Sequence, residues 1–286
     1  MSVRRALASL AVVPALAALP APTAAVASPN NPGVVLPQKT HFDLQAHRGG
    51  IGMTTEESPE GFAKAMRLGV STLELDTHVT KDEKVVVNHD RQISAQKCRD
   101  TAPVTPGDPM YPYVGKYIKD LTLAQLKTMD CGYQVLPDFP EQEQIKGFRM
   151  VELKDVLNLV KSYHANQVML NIETKVEAGA PEQTAPRELF VRAAAIPGVT
   201  ALSPVYGFPQ NGKLGEAGFR FYVDEVMVSA AHARGLKVIP WTCDAPATVE
   251  ALIDMGIDGI ITNYPNRVRQ IMAERGMRLP KVYEAR

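Results

Sequence analysis

The 286-residue chain has only three cysteines, one tryptophan and 6% aromatic side chains, and its 31 basic residues are matched by 31 acidic ones. Each scarcity removes a class of reading. With no CxxC pair and no Cys/His set, nothing in the sequence suggests a zinc site. With no basic excess, nothing global recommends nucleic acid or an anionic membrane surface as a partner. The most apolar run, residues 6–19, is broken by Pro14 and falls short of the roughly 20 residues of a spanning helix, so no stable membrane insertion is expected. No internal repeat or later low-complexity tract points to a solenoid. The ligand has to be sought in local groupings of residues.

Arg4 and Arg5 precede that Ala-rich run, and Pro20, Pro22 and Ala25-Val26-Ala27 follow it. This is the layout of an export signal with a small-x-small cleavage site, so residues 1–27 are expected to be a signal peptide and 28–286 an exported domain, secreted or kept at the cell envelope. Export permits disulfides. Cys98 and Cys131 flank a Pro-, Gly- and Tyr-rich stretch, 101–120, that one bridge would staple, whereas Cys243 ends an apolar strand pattern and reads as a small buried thiol.

Short apolar runs ending in polar residues alternate with helical patterns. The strands are expected at 44–46, 72–79, 85–88, 168–172, 200–205, 237–242 and 259–262, with helices at 59–68, 123–129, 154–164, 223–234 and 247–255. This βα rhythm predicts an α/β fold with a mainly parallel sheet and helices outside. Residues 91–167 after the third strand are too many for a loop and read as a folded insertion. Residues 80–83, in contrast, are too few for a crossover helix.

Polar groups gather at the C-terminal strand ends, where ligands bind in such folds. His47-Arg48-Gly49 ends the first strand, and period-two geometry puts Glu74 and Asp76 on one face of the second. The third strand delivers His89-Asp90 and the fourth Glu173-Thr174-Lys175. Any single pair among these reads as a strand-end salt bridge. Three carboxylates, two histidines, an arginine and a lysine at one mouth read instead as a divalent ion held by oxygens beside a phosphate.

These blocks resemble the glycerophosphodiester phosphodiesterase family. The likeness runs from His47-Arg48-Gly49 through Glu56-Glu57-Ser58, Glu74-Leu75-Asp76, Asn88-His89-Asp90 and Asn171-Ile172-Glu173-Thr174-Lys175 to Trp241-Thr242 and Asp258-Gly259-Ile260-Ile261-Thr262-Asn263-Tyr264-Pro265. Glu56-Glu57-Ser58-Pro59-Glu60-Gly61-Phe62 stands in place of the family's more usual Glu-Asn-Thr stretch, and Asn263 stands where Asp is usual. The resemblance implies a TIM-type (β/α)8 barrel, into which the long segment 91–167 would be inserted as a subdomain after strand 3. It also implies a divalent cation, Ca2+ favoured over Mg2+, and hydrolysis of small-molecule glycerophosphodiesters to sn-glycerol 3-phosphate and an alcohol. Residue by residue, it makes Glu74, Asp76 and Glu173 the metal ligands and His47 and His89 the acid/base pair, with the order of the two left open. Arg48 and Lys175 would neutralise phosphoryl charge. Trp241 would close on the glycerol moiety or belong to the core. Glu56 stands beside the site or serves as a helix N-terminal acid. His41, His164 and His232 read as structural or surface residues, and the motif does not ask for His78.

The resemblance breaks after the Glu-Thr-Lys block, where no Ser-Phe dipeptide occurs and residues 187–195 run straight into Ile196-Pro197-Gly198. One or two βα units are expected to be missing there, which makes the barrel irregular and prone to instability or self-association. Two competing readings follow. One is a phospholipase C- or D-like lipid phosphodiesterase on the same fold, and the other is an inactive remnant or binding protein.

Overall fold

The computed structural model describes residues 41–174 and 200–285. Strand β1 (Asp43–Ala46) alternates as its sequence requires. Leu44 and Ala46 enter the main hydrophobic core, while Gln45 turns the other way and donates to Asp43 at 2.8 Å. Helix α1 (Pro59–Leu68) starts at Ser58, whose hydroxyl accepts from the Gly61 amide, and stops at Gly69 in the left-handed region. Its Phe62, Ala65 and Met66 are fully buried in the same core. Strand β2 (Thr72–Val79) repeats the alternation, with Leu73 and Leu75 toward the core and Thr72, Glu74 and Asp76 on the opposite face.

Strand β4 (Met169–Thr174) pairs in parallel with β2, and β2 with β1. On the other side β1 pairs in parallel with β9 (Gly259–Thr262), each of whose residues is buried. Next to β9 runs β8 (Lys237–Val238), joined through Asp258 N to Val238 O and Ile261 N to Pro240 O. Strand β8 in turn pairs in parallel with β5 (Ala201–Leu202). The spatial order β4-β2-β1-β9-β8-β5 is therefore the chain order wound once around. A doubly wound sheet would reverse direction at its midpoint, so this singly wound order identifies a TIM-type α/β barrel. Among the described residues six parallel segments take part. The step from β4 to β5 falls on 175–199, so the expected loss of βα units, and Lys175 with it, lies outside the described residues.

The third expected strand requires a correction. Strand β3 (Val85–Val87) is antiparallel to β2, with Val79 opposite Val85 and Thr77 opposite Val87, so it is the return arm of a hairpin and not a barrel stave. The cause is the short link at 80–83, which leaves room only for a tight turn, with Glu83 at φ 58°. His89 reaches the mouth by coming back alongside β2, where Asn88 N bonds Asp76 O at 3.0 Å.

The segment that follows builds a second core. Ile93, Tyr113, Ile118, Leu121, Leu126, Met129 and Met150 pack together, with the short helix α2 (Leu123–Leu126) capped at Thr122. Cys98 and Cys131 lie in this core and are joined by a disulfide. Helix α3 (Leu153–Ser162) belongs to the first core through Val156, and Tyr163 just beyond it accepts from Arg67 at 2.8 Å. After β5, a hairpin of β6 (Gly207–Phe208) and β7 (Arg220–Phe221) precedes α4 (Glu225–His232), and the last helices are α5 (Pro246–Asp254) and α6 (Pro265–Glu274). Cys243 is buried and free.

The Cys98–Cys131 bridge spans 33 residues of sequence. In the chain-entropy picture a crosslink of that length stabilises by roughly 3 to 4 kcal/mol. Replacing both cysteines by serine is expected to lower the unfolding free energy in urea by about 3 kcal/mol. The increase in amide exchange should be concentrated in 91–150. A loss under about 0.5 kcal/mol would show that the second core holds without its staple.

Candidate active site

Glu74 and Asp76 face the same way because they are two apart in β2, and both are almost wholly buried, at 3% and 1% exposed. The β2–β4 register sets Glu173 directly opposite Asp76, and one carboxylate oxygen from each of Glu74, Asp76 and Glu173 lies within 4.8 Å of the others. Burial, followed by the charge of Asp76, pushes the Glu74 carboxyl up to about 8. A buried face that cannot hold both carboxylates ionised is short of positive charge. Three oxygen donors converging there fit a hard divalent cation.

Arg48 supplies part of the compensation. The turn at His47–Gly49 that follows β1 carries Arg48 at φ 51°, which aims its backbone amide at Glu74 Oε2, 2.8 Å away. Its guanidinium lies 2.8 Å from Glu56 and 3.6 Å from Asp76. Gly49 follows at φ 75°, and a Cβ there would come within 3.0 Å of Phe62, so the turn can pack on α1 only with glycine.

His47 is held at both ends of a polar chain. The Asn263 amide nitrogen donates to Asp244 Oδ2 at 2.6 Å, and Asp244 also receives the Asn263 backbone amide and the Thr262 hydroxyl. The Asn263 side-chain oxygen therefore faces His47 Nδ1, 2.5 Å away, and must accept the imidazole proton. That leaves Nε2 with its lone pair, 4.0 Å from Glu74. Burial, reinforced by the Arg48 charge, pushes the His47 pKa down to about 4, so the ring is neutral near pH 7.

His89 is oriented from the insertion side. Its Nδ1 lies 2.7 Å from Asp90, whose second oxygen meets Lys97 at 2.9 Å, and Lys97 reaches Glu56 at 2.7 Å. Burial works against ionisation of Asp90, yet the His89 hydrogen bond and the Lys97 charge outweigh it and hold the carboxyl well below its usual range. The chain His89, Asp90, Lys97, Glu56, Arg48, Asp76 thus ties the second histidine to the carboxylate cluster.

Of the residues singled out from sequence, Glu74, Asp76, Glu173, His47 and Arg48 come together directly, and His89 joins through that chain. The Trp241 ring nitrogen donates to Ser203 O at 2.9 Å. Lys97 and Asp244 were not foreseen, because Lys97 lies in the insertion and Asp244 matters only once Asn263 is beside His47. His78 donates to His89 O at 3.2 Å, and His232 pairs with Asp258 at 2.7 Å.

Residues 47–196 and 179–267 match the glycerophosphoryl diester phosphodiesterase family. A glycerophosphodiester phosphodiesterase from Caldanaerobacter subterraneus is 24% identical over 252 residues, covering 81% of this chain and 98% of that protein. A lysophospholipase D from Homo sapiens is 26% identical over 272 residues, covering 79% and 85%. The solved structure of an Oleispira antarctica phosphodiesterase in complex with the product sn-glycerol-3-phosphate superposes with a TM-score of 0.54 at 19% identity, over 81% of this chain and 96% of that one.

The titrations have opposite signs. Glu74 is raised to about 8 and Glu57 is raised as well, so without a cation the fold holds protons that the unfolded chain releases, and the Glu74 part of stability falls as pH rises from about 4.5 to about 8. His47 is lowered, so stability falls as pH drops from 6.5 to about 4. The two effects oppose each other below 6.5, and only the carboxylates act above it. Melting temperatures in EDTA are therefore expected to decline from pH 6.5 to pH 8, and excess Ca2+ should remove that decline. Equal slopes with and without the cation would show that nothing binds at the cluster.

Proposed function

The chain belongs to the glycerophosphoryl diester phosphodiesterase family, and from that membership we propose that it hydrolyses glycerophosphodiesters to sn-glycerol 3-phosphate and an alcohol, with Ca2+ as the preferred cation and the two histidines as acid and base. The observation that carries this reading is the convergence of Glu74, Asp76 and Glu173 beside two histidines whose Nδ1 atoms are both engaged. His47, neutral and with Nε2 bare, takes the proton from the attacking oxygen. His89, with Nδ1 on Asp90, gives one from Nε2 to the leaving alkoxide. When bound, the cation supplies positive charge to the phosphoryl oxygens. Arg48 holds Glu74 and Asp76 in place and lends its charge to the mouth, while Lys175 and Trp241 are assigned to substrate.

The same reading retains the loss of one or two βα units between β4 and β5. It is supported by the two family-matched stretches, which overlap at 179–196. Residues 1–27 are read as an export signal, and the Cys98–Cys131 bridge suits an oxidising compartment. No helix among the described residues is long and apolar enough to cross a membrane. A second reading, a lysophospholipid substrate, is favoured by Phe208 and Leu214, both about half exposed on the segment that follows β5 toward Trp241.

Release of glycerol 3-phosphate from glycerophosphocholine decides among these readings. Activity is expected to vanish in EDTA and return with Ca2+, and His47→Ala and His89→Ala should each lower kcat by about 10²- to 10⁴-fold. Turnover that survives EDTA would end the metal-dependent reading, and faster turnover of lysophosphatidylcholine would favour the second substrate class. With His47 held near 4, the acid limb of kcat/KM should lie below pH 6.5.

A further inference from the structure

One buried carboxylate takes no part in the chemistry above. Glu57 immediately precedes Ser58, the N-cap of α1, and its backbone is left-handed at φ 57°, a conformation that a side chain of its type rarely adopts. Two bonds hold it there. Its amide donates to Arg48 O at 3.0 Å, and its Oε1 accepts from the Asp76 amide at 3.1 Å. The residue is 2% exposed, and Oε2 is buried with no hydrogen-bond partner. The nearby cations are engaged elsewhere: Lys97 bonds Glu56 and Asp90, and Arg48 bonds Glu56 and lies against Asp76.

A buried acceptor oxygen without a protein donor is costly, and more so beside two like charges. The chain has nonetheless placed such a group behind Asp76, in a strained conformation. Strain of this kind persists where the surroundings enforce it. The Glu57 oxygens are not in the set that converges with Glu74, Asp76 and Glu173, so Glu57 does not itself complete that set.

We infer that Glu57 is a positioning residue of the cation site, fixing Asp76 through its backbone amide and adding a fourth negative charge that strengthens the hold on a divalent ion. This rests on the reading of Glu74, Asp76 and Glu173 as ligands. Groups bonded to ligands typically change metal affinity by 10- to 100-fold when altered. Glu57→Gln keeps an acceptor for the Asp76 amide and removes only the charge. Glu57→Asn removes the charge with a residue that tolerates the left-handed backbone better.

The test is calorimetric titration of the cation-free full chain with Ca2+, alongside its melting temperature in EDTA. Both variants are expected to bind Ca2+ at least tenfold more weakly than the parent, with unchanged circular dichroism. Glu57→Gln should also melt no lower than the parent without cation. Glu143→Gln, which alters an exposed ion pair with Lys64, should leave the affinity unchanged. Binding by Glu57→Gln within twofold of the parent would overturn the inference, and a lowered melting temperature with unaltered affinity would reduce Glu57 to a backbone tie. If the parent itself binds no Ca2+, the ligand assignment fails along with it, a result distinct from a parent that binds and a variant that binds equally well.

Discussion

The site is organised by one electrostatic constraint. Strand β2 must present Glu74 and Asp76 on a buried face, and parallel pairing with β4 adds Glu173 opposite Asp76. Like charges at that spacing in a water-poor setting push one another toward the protonated state. The surrounding structure answers with the Arg48 amide and guanidinium, with the Arg48–Glu56–Lys97 ladder, and with an arrangement of oxygens suited to a cation. Without those answers β2 would carry two buried acids that oppose folding.

The same constraint gives the insertion a role. Its second core and disulfide hold Cys98 and its neighbour Lys97 in place, so that Lys97 reaches both Glu56 and Asp90. The subdomain that lengthens the chain after β3 is thus bound electrostatically to the mouth of the barrel. On the opposite side, β9 ends at Thr262, and Asn263 just beyond it is locked by Asp244 and in turn sets the tautomer of His47. One histidine is oriented from the closing strand and the other from the insertion, with the carboxylates between them.

Much of this could be read from the residues because it follows from short-range geometry. The alternation in 72–79 placed Glu74 and Asp76 on one face, and the βα rhythm gave the parallel strands. Cys98 and Cys131 were recognisable as a pair from the loop between them. The hairpin nature of β3 was foreshadowed by the short link at 80–83, yet the expectation still counted it as a stave, because an apolar run does not show which way it pairs. Helix α3 was likewise assigned to the insertion, since nothing in its amphipathic pattern says which of two cores its Val156 enters.

The sequence by itself determined the kinds of group available and their local facing: three carboxylates, two histidines and an arginine at strand ends, on a chain with a βα rhythm. Only the tertiary structure decided which of them share a dielectric environment. That environment drives Glu74 up to about 8 and His47 down to about 4, spends the Asn263 amide on Asp244 so that His47 must donate from Nδ1, and leaves Glu57 buried behind Asp76. Such effects depend on distances between residues far apart in the chain and on the exclusion of water, and neither is encoded in any one stretch of sequence.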